Sequence, residues 1–149
     1  MNVLTEEMIE TIERQRLGFV ATGDKDGAPR LSPKGTFVVI DAQTIAYGDI
    51  SSPGSTSRLT DDPRVEVNFV DPFARKGLRA RGKARFVNKE DEGFKAEFER
   101  FERWGDLAAR IKRIVVIDID WVRPVRTPAY DDGAQEQDLR KTWESNLLG

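Results

Sequence analysis

One loop of the sequence combines the residue types that bind anions. It follows a short apolar segment and contains serines, a threonine and a glycine, with an arginine directly after them. Backbone N–H groups and hydroxyls donate hydrogen bonds to an anion, and a short helix starting near Ser55 would add the positive end of its dipole. We therefore expect a phosphate-binding loop, with Ser51, Ser55, Thr56, Ser57 and Arg58 as its candidate residues.

A second candidate segment interrupts the strand that the sequence predicts over residues 29–40. It consists of Ser32, Pro33, Lys34 and Gly35. Proline removes a donor from the hydrogen-bond ladder and glycine packs poorly, so we expect a bend, a bulge or a sheet edge here. Such a break lets a ligand approach the backbone closely, although a simple barrel corner would explain it equally well.

The composition excludes several kinds of chemistry. The chain has no histidine and no cysteine, which rules out thiol nucleophiles, disulfides, thiolate or imidazole metal sites and a triad with an imidazole base. Redox chemistry would have to come from a bound cofactor. The alternative is a small binding module that needs none of these residues.

The bulk properties indicate one domain spanning residues 1–149. Hydrophobic residues make up 38% of the chain, charged residues 34%, and the net charge is −2. This charge gives no general attraction to nucleic acid or to an anionic membrane. No apolar run approaches the roughly 20 residues that span a bilayer, and the first residues do not resemble a secretory signal. We therefore expect a cytoplasmic protein.

The hydrophobic pattern predicts helices over residues 6–16, 88–103 and 134–148 and strands over 17–22, 29–40, 44–48, 64–71, 78–87 and 114–122. Short turns between the strands favour an antiparallel sheet that closes into a barrel, an α+β fold with N-terminal, middle and C-terminal helices. Pro124 and Pro128 predict an extended connector to the last helix. The narrow apolar stripe of that helix, formed by Leu139, Trp143 and Leu147, must pack on its own barrel or on a partner chain.

Several segments, in this order and spacing, resemble the pyridoxamine 5'-phosphate oxidase-like proteins. The resemblance covers residue 8 to about residue 122. It is carried by residues 17–22 (LGFVAT), 26–29 (DGAP), 31–35 (LSPKG), 45–49 (IAYGD), 58–59 (RL), 62–65 (DPRV) and 77–84 (GLRARGKA).

This resemblance implies a split β-barrel with Greek-key antiparallel strands, which forms a homodimer and holds FMN in two grooves at the dimer interface. In that family the phosphate is bound by the second strand and by the loop before the short helix, here residues 32–35 and 51–58. The oxidase has an arginine in place of Ser32 and a lysine in place of Ser55. Lys34 and Arg58 could replace that charge, as could Arg30 if its side chain points toward the phosphate.

The leading hypothesis is thus an FMN-dependent oxidoreductase that transfers hydride through a non-covalently bound flavin to or from a small-molecule substrate. Lys34 would place a positive charge near the phosphate or the ring. Tyr47 and Trp121 would line the groove or belong to the core, and Tyr130 would reach across the dimer interface.

Four alternatives remain open. A deazaflavin could occupy the same groove, or the protein could bind flavin without catalysis. Haem binding is disfavoured because neither histidine nor cysteine is present to ligate iron. A nucleic-acid module would use the basic side of residues 79–85, but the pattern lacks interleaved aromatic residues there. We predict no metal site, no nucleic-acid partner and no membrane partner.

Overall fold

Seven antiparallel strands form a single sheet in the computed structural model, which describes residues 1–149. In chain order the elements are α1 (Glu6–Gln15), β1 (Gly18–Gly23), β2 (Pro29–Lys34), β3 (Val38–Asp41), β4 (Thr44–Asp49), α2 (Pro53–Asp61), β5 (Arg64–Asp71), β6 (Lys76–Asn88), α3 (Phe94–Phe98), a 3₁₀ segment (Glu99–Arg110), β7 (Arg113–Arg126), a 3₁₀ turn (Pro128–Tyr130) and α4 (Glu136–Leu148).

The strands follow the order β2-β1-β5-β6-β7-β4-β3 across the sheet. The two long central strands, β6 and β7, pair along their whole length, and β2 and β3 form the two edges. The predicted α+β class with an antiparallel sheet is therefore confirmed. None of the helices has the length and hydrophobicity needed to span a bilayer.

Two apolar clusters form the core. The larger lies between the sheet and α1, which contributes Met8 and Ile12. The N-cap of α1 is Thr5, whose hydroxyl accepts a hydrogen bond from the Met8 N–H at 3.2 Å. The smaller lies under the 3₁₀ segment and includes Phe101 and Ile111. The first cluster holds the barrel strands together, and the second anchors the 3₁₀ segment beside the end of β4.

The structure corrects three element boundaries. The break after β2 falls at residues 35–37 rather than 32–35, because Ser32 and Pro33 still pair with β1 on the sheet edge. The middle helix begins at Phe94 rather than at residue 88, since residues 89–93 form turns. Pro124 lies inside β7 rather than in a connector, opposite Leu78 of β6.

A bulge in β7 changes the orientation of Trp121. Arg81 pairs with Trp121 but the next residue, Gly82, pairs with Ile119, so Asp120 is the extra residue. Beyond the bulge the inward position passes to Val122, which is 2% exposed. Trp121 therefore lies on the outer face, where its ring packs against the Arg81 guanidinium.

Candidate functional site

Lys34 connects the two segments that the sequence singles out. It is the last residue of β2, and its side chain is buried apart from an exposed fraction of 8%. Its Nζ donates hydrogen bonds to the hydroxyl of Ser32 at 2.9 Å and to that of Ser52, in the serine-rich loop, at 2.6 Å. The bent second strand and the loop thus converge on one ammonium group.

A groove of about 220 Å³ opens beside this ammonium group. The end of β2, the end of β4, the serine-rich loop and the 3₁₀ segment form its walls. Lys34 is the single ionisable residue that lines it. The lining residues are Pro33, Lys34, Gly35, Thr36, Gly48, Ile50, Ser51, Ser52 and Leu107.

Helix α2 directs its first turn toward the same region. Its N-cap residue Ser52 makes no side-chain capping hydrogen bond, and Pro53 occupies the first helical position. The hydroxyl of Ser52 instead accepts the hydrogen bond from Lys34. Backbone N–H groups at the start of a helix are favourable partners for an anion, so the ammonium, the hydroxyls and the helix start form a site suited to an oxyanion.

Asp49 is a buried residue next to the groove that is not among the residues predicted from the sequence. Its carboxylate is 4% exposed and accepts a hydrogen bond from the Thr56 hydroxyl at 2.9 Å, which ties the first turn of α2 to β4. Arg113 lies 3.4 Å from the same oxygen, Oδ2, whereas Oδ1 has no partner. An aspartate at the end of a strand, two residues before the first serine of the loop, was the signal that could have pointed to it.

The pKa of Lys34 reflects these neighbours. Burial is the largest influence and lowers it, the carboxylate of Asp49 acts in the opposite direction, and the positive charge of Arg58 lowers it further. The net effect is a pKa below the ordinary lysine value. Burial disfavours the charged form because it removes solvation, and a bound anion would restore that stabilisation.

Arg58 does not line the Lys34 groove, although its charge acts on Lys34. Its Nε donates to the hydroxyl of Thr22 at 2.8 Å, and its Nη1 lies 3.8 Å from Asp24. The guanidinium folds back over Gly54, where a Cβ atom would lie 3.1 Å from Nη1. Ser57 and Arg58 line a separate, wider groove of about 810 Å³ next to the β1–β2 turn.

The remaining loop candidates divide between the interior and the groove. Ser55 is 4% exposed and faces the interior, and Thr56 is held by Asp49. Ser51 lines the Lys34 groove. The structure therefore brings Ser32, Pro33, Lys34, Gly35 and Ser51 together, and places Ser55, Thr56, Ser57 and Arg58 elsewhere on α2.

Three aromatic candidates lie away from the groove. Tyr47 is 1% exposed and packs in the core, with its ring centroid 5.2 Å from that of Phe37, and burial raises its pKa above the ordinary value. Trp121 lies on the outer sheet face, as described above. The hydroxyl of Tyr130 donates a hydrogen bond to the carbonyl of Ala74 at 2.6 Å, so its partner lies within the same chain.

Comparison with known proteins identifies the family. A family model described as pyridoxamine 5'-phosphate oxidase matches residues 4–126. The chain belongs to this family. No curated protein sequence matches it.

Solved structures share the fold of this pyridoxamine 5'-phosphate oxidase-like chain. HupZ from Group A Streptococcus is 25% identical, with a TM-score of 0.71 over 83% of this chain and 95% of that chain. An FMN-binding protein from Syntrophomonas wolfei is 15% identical, with a TM-score of 0.69 over 82% and 86%. A protein described as F420 reductase is 19% identical, with a TM-score of 0.62 over 80% and 98%. The fold is the split barrel of this family.

Proposed function

We propose that this protein binds FMN and acts as an oxidoreductase on a small-molecule substrate. The observation that supports this most strongly is the Lys34 ammonium, which lies between the hydroxyls of Ser32 and Ser52 at the start of α2. Membership of the pyridoxamine 5'-phosphate oxidase family makes a flavin the first cofactor to test.

The groove residues fit the terminal phosphate of FMN. Lys34 supplies the charge, Ser32 and Ser52 can turn their hydroxyl protons toward the phosphate, and the α2 N-terminus adds its dipole. A charge-assisted hydrogen bond contributes about 1.5–3 kcal/mol. A single lysine with two hydroxyls therefore suffices for measurable binding, even though Arg58 is used elsewhere.

When bound, FMN supplies the capacity to accept and return a hydride. This chain's residues hold the cofactor and shield it. Lys34 holds the phosphate, while Leu107 and Ile50 give the groove an apolar wall that limits the access of water. Binding and shielding require neither histidine nor cysteine.

The proposal includes a homodimer with the flavin at its interface. The outer face of β1, β2 and β5 exposes apolar side chains next to the edge strand β2, which also carries Lys34. Exposed apolar patches of this kind indicate a protein interface, and a second copy would extend the shallow groove into a site large enough for the flavin ring. The residues are Leu17, Phe19, Leu31 and Val70, exposed by 43%, 37%, 69% and 37%.

The first experiment is the absorption spectrum of the purified protein, followed by titration with FMN and an assay of reduced nicotinamide oxidation. We expect a yellow protein that bleaches with dithionite, or a colourless one that quenches added FMN fluorescence at saturation. A protein that neither carries nor binds flavin contradicts the proposal. Binding without turnover would restrict it to flavin binding.

A non-catalytic flavin carrier is the second candidate function. It is favoured by the groove itself, in which Lys34 is the single ionisable residue. The phosphate of a deazaflavin would bind to the same residues, Lys34 and the hydroxyls of Ser32 and Ser52. One of the structures that share the fold is described as F420 reductase. Mass analysis of the compound released on heating distinguishes FMN from a deazaflavin, and turnover distinguishes the carrier from the enzyme.

A further inference from the structure

Arg16 has a side chain that no part of the flavin proposal uses. It follows α1 directly, and its carbonyl accepts a hydrogen bond from the Phe37 N–H at 3.2 Å. Its backbone is left-handed, with φ of 56°, a conformation that favours glycine. Its guanidinium atom Nη1 is buried and has no hydrogen-bond partner.

Arg16 and a second arginine, Arg103, pack on the same aromatic ring, that of Trp104. The guanidinium carbon of Arg16 lies 5.4 Å from the centre of the Trp104 ring, and that of Arg103 lies 5.2 Å from it. Neither guanidinium lies within 4.0 Å of a carboxylate oxygen. Burial and the charge of Arg103 both lower the pKa of Arg16, whereas Glu13 acts in the opposite direction without forming an ion pair.

The other arginine pair on a tryptophan provides a comparison. Arg79 and Arg81 also pack on one ring, that of Trp121, but both donate to Glu66, at 2.5 Å and 2.9 Å. Two guanidinium groups on one ring thus share one carboxylate, which offsets part of their charge. The Trp104 pair has the same arrangement, but no carboxylate of the chain pairs with it.

We propose that Arg16 and Arg103, held on Trp104, form a second anion-binding site that takes the carboxylate or phosphate group of a small molecule. Guanidinium groups bind either group through paired N–H donors. Arg103 is exposed and can move onto the anion, while Arg16 is fixed by its position between α1 and β1.

The proposed anion site lies near the Lys34 groove, but anion binding there does not require that the groove binds a flavin. Trp104 and Leu107 lie on the two sides of a kink at Gly105 in the 3₁₀ segment, and Leu107 lines that groove. Arg16 lies two residues before Gly18, which pairs with Lys34. A molecule with an acidic group at one end could therefore be anchored next to the groove, whatever the groove itself binds.

The test is a nitrogen–proton NMR titration that follows the indole N–H signals of the three tryptophans. Trp104→Phe assigns one signal, and the other two serve as internal controls because each of those rings also packs against arginine. The probes are sodium benzoate and inorganic phosphate, each compared with sodium chloride at the same ionic strength. We expect a saturable shift of the Trp104 signal alone, and the ratio of the two dissociation constants identifies the preferred group.

Variants separate this site from a general charge effect. Arg103→Gln and Arg16→Gln should each weaken binding at least tenfold, Glu13→Gln should strengthen it, and Arg81→Gln should leave it unchanged. Because Arg103 is exposed, its variant remains informative even if Arg16→Gln fails to fold.

Two outcomes would overturn the proposal. One is a Trp104 signal that shifts no more than the two control signals or that shifts equally in Arg103→Gln. The other is an Arg16→Gln variant with unchanged anion binding and an altered oligomeric mass, which would show that a carboxylate of a second copy pairs with Arg16. Loss of FMN binding would affect neither readout.

Discussion

Lys34 is the residue on which the proposed chemistry depends, because its ammonium is the single charged group in the groove. The sequence made it a candidate, because it lies in the interrupted segment of the second strand that the family resemblance places at the phosphate. Its role there stays a prediction. The sequence could not show that Thr22 and Asp24 hold the Arg58 guanidinium. It also could not show that Asp49 is buried between β4, α2 and β7, on which its role depends.

The lowered pKa of Lys34 predicts a pH dependence of FMN binding. Lys34 binds phosphate as an ammonium ion. The affinity for FMN should therefore be highest at pH values well below the pKa of Lys34 and should fall as the pH rises through that pKa, which lies below 10.5. Fluorescence titrations of FMN across this range measure the effect. Lys34→Arg is the control, because arginine stays charged there and should give a flat profile. Identical profiles for the two proteins would remove Lys34 from the phosphate site.

At the scale of the elements, alternation of apolar and polar residues predicted the antiparallel strands well. The outward turn of Trp121 was not predictable, because the bulge at Asp120 arises from how β7 pairs with β6 and not from the sequence of β7 itself. The break after β2, which falls at residues 35–37 instead of the predicted 32–35, also results from strand pairing, because Ser32 and Pro33 pair with β1. Pro33 is tolerated in β2 because the strand lies at the sheet edge.

Gly82 of β6, next to this bulge, has no room for a side chain. A Cβ atom there would lie 2.1 Å from the backbone carbonyl oxygen of Asp118. Gly82→Ala should therefore lower the free energy of unfolding by about 1–3 kcal/mol or more, since the backbone of the neighbouring strand must move. Urea unfolding measures this. Gly23→Ala is the matched control, because no atom lies within 4 Å of a Cβ at that position, and equal losses in both variants would contradict the packing argument.

Asp71 holds the C-terminal helix to the β5–β6 turn. Its buried carboxylate accepts hydrogen bonds from the N–H groups of Phe73 and Ala74, at 3.0 Å and 3.1 Å, and from Arg140 of α4 at 2.7 Å. Burial alone would raise its pKa, but the hydrogen bond from the Ala74 N–H and those from Arg140 and Phe73 lower it overall.

This pairing predicts an acid-sensitive contribution to stability. A carboxyl whose pKa is lowered on folding stabilises the protein above its unfolded value, near 3.8, and loses that contribution as the pH falls through the folded value. Asp71→Asn should cost about 1.5–3 kcal/mol at neutral pH, and the difference from the wild type should vanish in acid. Urea unfolding at both pH values measures it, with Asp138→Asn in the first turn of α4 as the control. A difference that persists unchanged in acid would contradict the assignment.

At the scale of the whole molecule, the order and spacing of short motifs predicted the family and hence the split barrel. The oligomer was predicted only through that resemblance, because the exposed apolar face on β1, β2 and β5 becomes visible only when the strands are paired. The substrate is not encoded in the family motifs, which describe the barrel.

Two charges on that face should dissociate the proposed dimer. In Phe19→Arg with Leu31→Arg, like charges from the two copies would meet across the interface and their desolvation would be costly. We expect light scattering to report a monomer and the FMN affinity to fall with it. Leu147→Arg on α4, also an exposed leucine, is the control and should remain a dimer that binds FMN. A wild-type protein that is already a monomer would contradict the interface.

The decisive measurement compares the affinities of FMN and riboflavin, which differ only in the phosphate, for the wild type and for Lys34→Met. If Lys34 and the serine hydroxyls bind the phosphate, the wild type should prefer FMN at least tenfold and the variant should bind both compounds with similar, weak affinity. Equal affinities of the wild type for FMN and riboflavin, or a full preference for FMN in Lys34→Met, would show that this groove does not bind the phosphate.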